Sequence, residues 1–533
     1  MITFSIRTIA ATTLLLALLR PVQAQKTNWQ NMDLQKDTVF GISTEKAYET
    51  LLQHKKSHTV VVGVIDSGVD TAHEDLKAVI WENPKEKPGN GIDDDHDGYI
   101  DDVHGWDYIG GPKGDVDHDN LEVVRLIREQ RPFYDSLEKA GTIPDKYKAG
   151  DDTYQKMKAE YEKAVANATQ TVDGISRFKG ILDSMAAKIG KDSPTLADWT
   201  AYTPASGPEQ HVKMILVQNM QHGMSYTSLV NDGIIGPLKH FQDELKYHLN
   251  IDYDPRSIVG DDYNNSSQRD YGNADVTGPD ALHGTHVSGI IGAVRHNGIG
   301  IDGIADNVRI MILRVVPDGD ERDKDVANGI RYAADHGAKV INMSFGKGWP
   351  KDKAAVDAAV KYALSKDVLL IHAAGNDGKD LDDPENPNYP NPYYGDSSGT
   401  ADAWLTVGAS GYTDDSTLVA SFSNYGKKSV DVFAPGVQIY SSIPGSKYTL
   451  ESGTSMACPV VVGLAALIRE YYPKLKAVEV KQIIMQSVVK PTHPVVVGGR
   501  SEKHRVVNLS DISVSGGIVN AYQALQLAEN FHR

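Results

Sequence analysis

The feature that most constrains this chain is a repeated alternation. Short runs of β-branched and aliphatic residues, apolar at nearly every position, are separated by longer stretches with helical spacing. The runs are Thr59–Ile65 (TVVVGVI), Val308–Val316 (VRIMILRVV), Lys339–Met343 (KVINM), Val368–Ala373 (VLLIHA) and Trp404–Ala409 (WLTVGA). A strand that is apolar on both faces must be covered on both, which is the situation of an interior strand in a parallel sheet. Between the runs, Asp325–His336 and Lys353–Leu364 carry helical periodicity. This alternation predicts a three-layer α/β fold around a mostly parallel central sheet. In such sheets the chemistry gathers beyond the carboxyl ends of the strands. Residues that follow the runs therefore carry the most weight.

Two segments break the alternation. Residues 25–58 are mixed and polar, with Trp29 and Phe40 as docking points. Residues 115–255 lack strand-like runs and are rich in Lys, Glu, Gln and Ala, with helical spacing over Leu121–Leu137 and Tyr154–Ala168. The expected layout is a leader at 1–24, an N-terminal segment at 25–58, one α/β domain in two parts (59–114 and 256–533), and a helical insertion at 115–255. The insertion either restricts what enters a cleft or decorates a distant face.

The leader reads as an export signal. Arg7 precedes an apolar run, Thr8–Leu19, that is too short to span a membrane, and Val22-Gln23-Ala24 offers small residues for cleavage before Gln25. The expected product is exported, to the periplasm or the medium, with no stable membrane association after cleavage. A formal charge of −17 argues against nucleic acid as a partner. Cys458 is the only cysteine, which excludes an intramolecular disulfide framework.

Three motifs sit where an α/β enzyme would place reacting groups. VVVGVIDSGVD ends a buried strand at Asp66; HGTHVSG opens a helix-compatible run at His283; SGTSMACP starts a helix at Ser455 after Ser452-Gly453. Taken singly, these are a turn former, a surface histidine and a helix cap. Together they supply a nucleophile, a base and an orienting carboxylate in the order Asp, His, Ser. Gly395-Asp396-Ser397-Ser398-Gly399 also matches a nucleophile-elbow pattern, but the proline-rich NYPNPYYG before it is not a strand.

With INMSFG and HAAGND in the same order, the chain resembles the subtilisin-like serine peptidases, family S8, over roughly residues 59–114 and 256–525. The resemblance implies a serine-type endopeptidase acting on protein or peptide substrates. A weakly acidic hydroxyl needs a base within reach, so Ser455 would attack, His283 would carry the proton and Asp66 would hold the imidazole. A non-catalytic peptide-binding relative and an esterase on the same triad are the rival readings. His286, the second histidine of the motif, is expected to pack or hydrogen-bond within its helix. Asn376 would donate to the oxyanion beside the Ser455 backbone N–H. Ser344, Phe345 and Gly346 match the segment that pairs with an extended substrate, and Ala374 and Gly375 would line the adjoining pocket.

Calcium is the implied cofactor. Asp93, Asp95 and Asp97, followed by Gly98 and the Tyr99 carbonyl, fit the first seven positions of an EF-hand loop. His104 stands where the closing Glu belongs, and Asp101 or Asp102 would take its place. The resemblance suggests a second site at Asp75, with Asn297 from the loop RHNGIGI.

Overall fold

A computed structural model describes residues 27–141, 143–499 and 504–531, so the expected leader at 1–24 lies outside the described residues. The chain divides into two compact units. One is Val123–Asp254; the other combines Lys26–Glu122 with Pro255–Arg533.

The larger unit is built on a seven-stranded sheet. Its strands are β1 (Val60–Asp66), β2 (Gly105–Asp107), β3 (Val308–Arg314), β4 (Val340–Met343), β5 (Leu369–Ala373), β6 (Trp404–Ser410) and β7 (Val432–Pro435). They lie in the order β2-β3-β1-β4-β5-β6-β7, every pair parallel. All five predicted runs are interior strands. The alternation of side chains explains why they had to be apolar throughout. Val60, Val62 and Val64 enter one core layer, as do Ile310 and Ile312; Ile65, Met311 and Leu313 enter the other.

Helices cover both faces. On the first layer lie α1 (Leu282–Gly292) and, further along the chain, a helix at Thr454–Tyr471 that is buried over most of its length. Its apolar composition fits burial in this core. On the second layer lie α2 (Asp323–Asp335) and α3 (Lys353–Ser365). The helix at Thr454–Tyr471 is α4. A hairpin of β8 (Ile439–Ile443) and β9 (Lys447–Glu451) precedes it. The sheet order reverses at β1, so β3 and β4 flank it and the crevice opens beyond its carboxyl end.

Trp29 and Phe40 are buried, so the N-terminal segment is part of the core. Residues 115–122 belong with the sheet unit: Asp115 bridges Gly110, and His118 bridges Asp318. The other unit is helical, with long members at Glu122–Lys139 and Lys148–Ile189. Ile175, Phe178, Leu182 and Met185 form one apolar stripe of the longer helix and pack with Trp199, Val212, Leu216 and Leu229. This gives Val123–Asp254 a core of its own.

Candidate active site

Strand register brings the motif residues to one edge. Ile65 is opposite Met343, and Met343 is opposite His372, so Asp66, Ser344 and Ala373 emerge side by side. α1 then delivers His283. It comes close because Gly284 has no side chain: a Cβ there would lie 2.2 Å from the Gly68 carbonyl oxygen. Gly68 itself has φ +119°, and a Cβ there would lie 2.2 Å from the Thr277 carbonyl oxygen, so a side chain is barred on both sides of this contact.

Asp66 is buried, and its Oδ1 accepts from His283 Nδ1 at 2.7 Å and from the Ser67 backbone N–H at 2.8 Å. The imidazole keeps 37% of its side-chain surface open. Burial alone would lower the His283 pKa, but the Asp66 charge and hydrogen bond outweigh it, and Glu451 and Asp280 add to the net upward shift. The structure thus favours the imidazolium that proton transfer would create. His286 behaves oppositely. Burial, helped by His283, pushes it down to about 4. The ring is packed in the interior, one of the two expected outcomes, and its hydrogen bonds leave the helix: Nε2 reaches Ile439 O at 3.1 Å and Thr449 O at 3.3 Å, tying α1 to the β8–β9 hairpin.

Ser455 is the second residue of α4, near a helix N-terminus that favours negative charge. Its hydroxyl donates to Ser344 O at 3.0 Å, and the Ser344 hydroxyl donates back to Ser455 O at 3.0 Å. Asn376 follows β5, and its Oδ1 accepts from the Thr454 N–H at 2.8 Å and the Thr454 hydroxyl at 3.0 Å. With the oxygen fixed, the amide nitrogen is the group left to donate. Thr454 Oγ1 also accepts from Gly375 N at 3.0 Å. Thr454 was not anticipated from sequence, although it sits inside the SGTS motif.

The edge strand is equally ordered. His372, pushed down to about 4 by burial, donates through Nε2 to Phe345 O at 2.7 Å. Lys347 exchanges backbone bonds with Tyr389 at 3.0 and 2.9 Å. Phe345 and Lys347 therefore turn their backbone groups inward. By the two-residue period of an extended chain, Ser344 and Gly346 turn theirs to the open edge. Asn388, also missed in the sequence, donates to Ala373 O at 3.2 Å and Ala374 O at 3.1 Å. It joins the Ala374-Gly375 wall to Gly346, where a Cβ would meet its Oδ1 at 2.5 Å. Cys458 is buried, and burial pushes its thiol up to about 12. Gly395–Gly399 is a turn with no helix after it.

The acidic loop differs from its EF-hand expectation. Asp93 and Asp95 come together, but with Glu86, and ligand atoms of all three lie within 4.8 Å of one another. The Asp95 side chain is 3% exposed, yet neither of its oxygens accepts a hydrogen bond; Glu86 Oε2 is orphaned too. An ion pair to exposed Lys85 at 3.6 Å is the cationic contact of Asp95. Asp97 pairs with His336 at 2.8 Å, and these two form a second cluster with Asp95 whose ligand atoms lie within 4.8 Å of one another; Tyr99 is buried with its hydroxyl on Tyr108. Asp101 and Asp102 do not close the loop. Asp101 accepts from Asn90 N and Gly91 N, while Asp102 takes Asn83 and Tyr332. At the second expected site Asn297 Nδ2 donates to Asp75 Oδ1 at 2.6 Å, and Ile301 N to Oδ2 at 3.2 Å. Burial raises the Asp75 pKa.

Comparison with known proteins shows the family of this chain. The profile of peptidase S8, the subtilase family, matches residues 57–504. A thermophilic serine proteinase from Bacillus sp. (strain AK1) is 39% identical over 242 residues, covering 45% of this chain and 53% of that protein. Thermitase from Thermoactinomyces vulgaris is 43% identical over 187 residues, covering 35% and 60%. The matches thus span a little over half the length of these relatives. Among solved structures, a protease from Pseudoalteromonas arctica shares 27% identity at TM-score 0.39, covering 49% of this chain and 80% of its own. A cold-adapted subtilisin-like serine proteinase shares 30% at TM-score 0.35, covering 47% and 76%. The family profile runs through the carboxyl-edge residues assembled above, and this chain belongs to the subtilase family.

Proposed function

We propose that the chain is an exported serine endopeptidase that hydrolyses peptide bonds through an acyl-enzyme on Ser455. The observation that carries this reading is the 2.7 Å bond between Asp66 Oδ1 and His283 Nδ1 at the sheet edge that also presents Ser455 and Asn376. It fixes the imidazole tautomer, leaving Nε2 as the proton acceptor.

Rotation of the Ser455 hydroxyl from Ser344 O to the imidazole frees that carbonyl for the substrate backbone. Oγ attacks the scissile carbonyl carbon while His283 takes the hydroxyl proton. The developing oxyanion is met by Asn376 Nδ2 and the Ser455 N–H, both held in place beforehand. His283 then gives its proton to the leaving amine, and water hydrolyses the ester by the reverse sequence. An extended substrate pairs along Ser344 and Gly346, with one side chain entering between Phe345-Gly346 and Ala374-Gly375. The leader at 1–24 supports export, and the net charge of −17 argues against nucleic acid as a partner.

Calcium fits the first acidic loop. Buried, unpartnered carboxylate oxygens on Asp95 and Glu86, beside Asp93, are the donor set a hard cation takes, and it would stabilise the loop rather than take part in the reaction. Asp75 and Asn297 are the second candidate, where the Asn297 amide would have to turn from Asp75.

Replacing Ser455 with Ala should abolish cleavage of peptide amides, by about 10⁶-fold in kcat, the scale for losing one member of such a triad. The fold should survive, since the hydroxyl adds little to the core. Undiminished peptide cleavage by purified Ser455→Ala protein would overturn the reading.

A further inference from the structure

One buried cation lies directly beside the edge that the proposed function assigns to substrate. Lys347 follows Gly346, and its side chain is 1% exposed. The ammonium donates to Glu122 Oε2 at 2.8 Å and to the Glu321 carbonyl oxygen at 2.7 Å, and it pairs with Asp323 Oδ1 at 2.7 Å. The ammonium thus meets a carbonyl and two carboxylates. The acceptors are themselves anchored. Asp323 Oδ2 accepts from Lys351 N at 2.7 Å and Asp352 N at 2.6 Å, and the Glu122 N–H donates to Asp320 at 2.7 Å.

This investment is unusual for a loop. Charges removed from water are costly unless well paired, and this one is paired with two carboxylates. What the charge does is hold the backbone. The lysine backbone is bonded on one side to Tyr389 and its side chain is tied to the start of α2, which leaves Gly346 presented to the open edge. Glu122 is also the last residue before Val123–Asp254 begins. Nearby, Arg256 binds Asp261 at 2.7 Å and Asp325 at 2.6 Å, fixing the point where the chain returns to the same helix, α2.

We propose that Lys347 is a positioning residue for substrate: buried between Glu122 and Asp323, it locks the Gly346 edge in the geometry that an extended peptide backbone pairs with. It touches neither the substrate nor the reacting atoms, and the inference rests on the serine-peptidase reading above. Its effect belongs in the binding of long substrates, which use the edge, and not in the attack step.

The test compares an extended tetrapeptide anilide with a single-residue ester in Lys347→Met and in the double variant Glu122→Gln/Lys347→Met. The double variant guards against misfolding, because it removes one of the carboxylates that the single change strands. KM for the tetrapeptide should rise by about 5- to 20-fold with kcat within about twofold, while KM for the ester stays within about twofold. Glu122→Gln alone, which keeps an acceptor for the ammonium, should give a smaller rise in the same direction. A folded variant whose tetrapeptide-to-ester KM ratio equals that of wild type would overturn the inference, even if its Tm fell. Wild-type protein inert toward both substrates would overturn the serine-peptidase reading and this inference with it.

Discussion

Asp66 and Asp95 are both buried carboxylates, and the structure treats their charge in opposite ways. Asp66 holds a protein partner: Oδ1 grips the His283 imidazole, and Oδ2, which has no hydrogen bond, lies on the same charged group. Asp95 has no hydrogen-bond partner on either oxygen, and Glu86 Oε2 beside it has none. At the first, the compensating positive charge is one the chain itself makes when His283 takes a proton. At the second, exposed Lys85 approaches at 3.6 Å and the His336 ring lies within 4.8 Å, yet neither Asp95 oxygen accepts a hydrogen bond. The difference teaches how to separate a reacting carboxylate from a cation ligand. The one is hydrogen-bonded to a titratable ring; the other sits among further carboxylates with neither oxygen hydrogen-bonded.

Breaking the first half of the comparison should give the larger effect. Asp66→Asn leaves the shape intact but favours the wrong imidazole tautomer, and kcat should fall by about 10⁴-fold with Tm little changed. Steady-state kinetics on one peptide amide, with a melting curve, would check this. A loss below about tenfold would mean that His283 does not depend on Asp66.

The second half is read in stability. With calcium about a hundredfold above its dissociation constant, the native state should gain about 2.7 kcal/mol, a rise of several degrees in Tm. Asp95→Asn or Glu86→Gln should remove most of that rise with a smaller effect on the metal-free Tm, because Glu86 Oε2 and both Asp95 oxygens accept no hydrogen bond from the protein. Scanning calorimetry with calcium and with EDTA would show it. If Glu86→Gln kept the full calcium response, Glu86 would not be a ligand.

The smallest effect sharpens the account of His283. Glu451 ends the β8–β9 hairpin and helps to raise the His283 pKa. Removing that negative charge disfavours the imidazolium, so the folded pKa of His283 falls. Because the reaction needs neutral imidazole, the acid limb of kcat/KM in Glu451→Gln should move to lower pH. The change in rate should be less than about tenfold at any pH. A shift toward higher pH would contradict the assigned electrostatics.

The five sheet runs were legible because burial on both faces leaves no polar position to blur the pattern. Asp66, Ser344 and Asn376 could be brought to one edge from sequence because they follow those runs, whereas His283 and Ser455 were found by their motifs at helix starts. Other parts depended on side chains that local spacing does not relate. Glu86 lies seven residues before Asp93, across Lys87-Pro88-Gly89, outside any loop template that counts forward from Asp93. That template pointed to Asp101 and Asp102, whose carboxylates are consumed by Asn90, Gly91, Asn83 and Tyr332. Thr454 and Asn388 act by pinning Asn376, Gly375 and the Ala374 carbonyl, roles visible only once β5 and α4 are side by side. Lys347 reads as a surface lysine until Glu122 and Asp323, far apart in sequence, are brought to it.

The central claim is that Ser455 is activated by His283, and covalent labelling by a fluorophosphonate tests it most directly. Mass spectrometry of the labelled protein should place the adduct on Ser455, and His283→Ala should suppress the labelling rate by several orders of magnitude. Labelling at another residue, or at Ser455 with an unchanged rate in His283→Ala, would contradict the account.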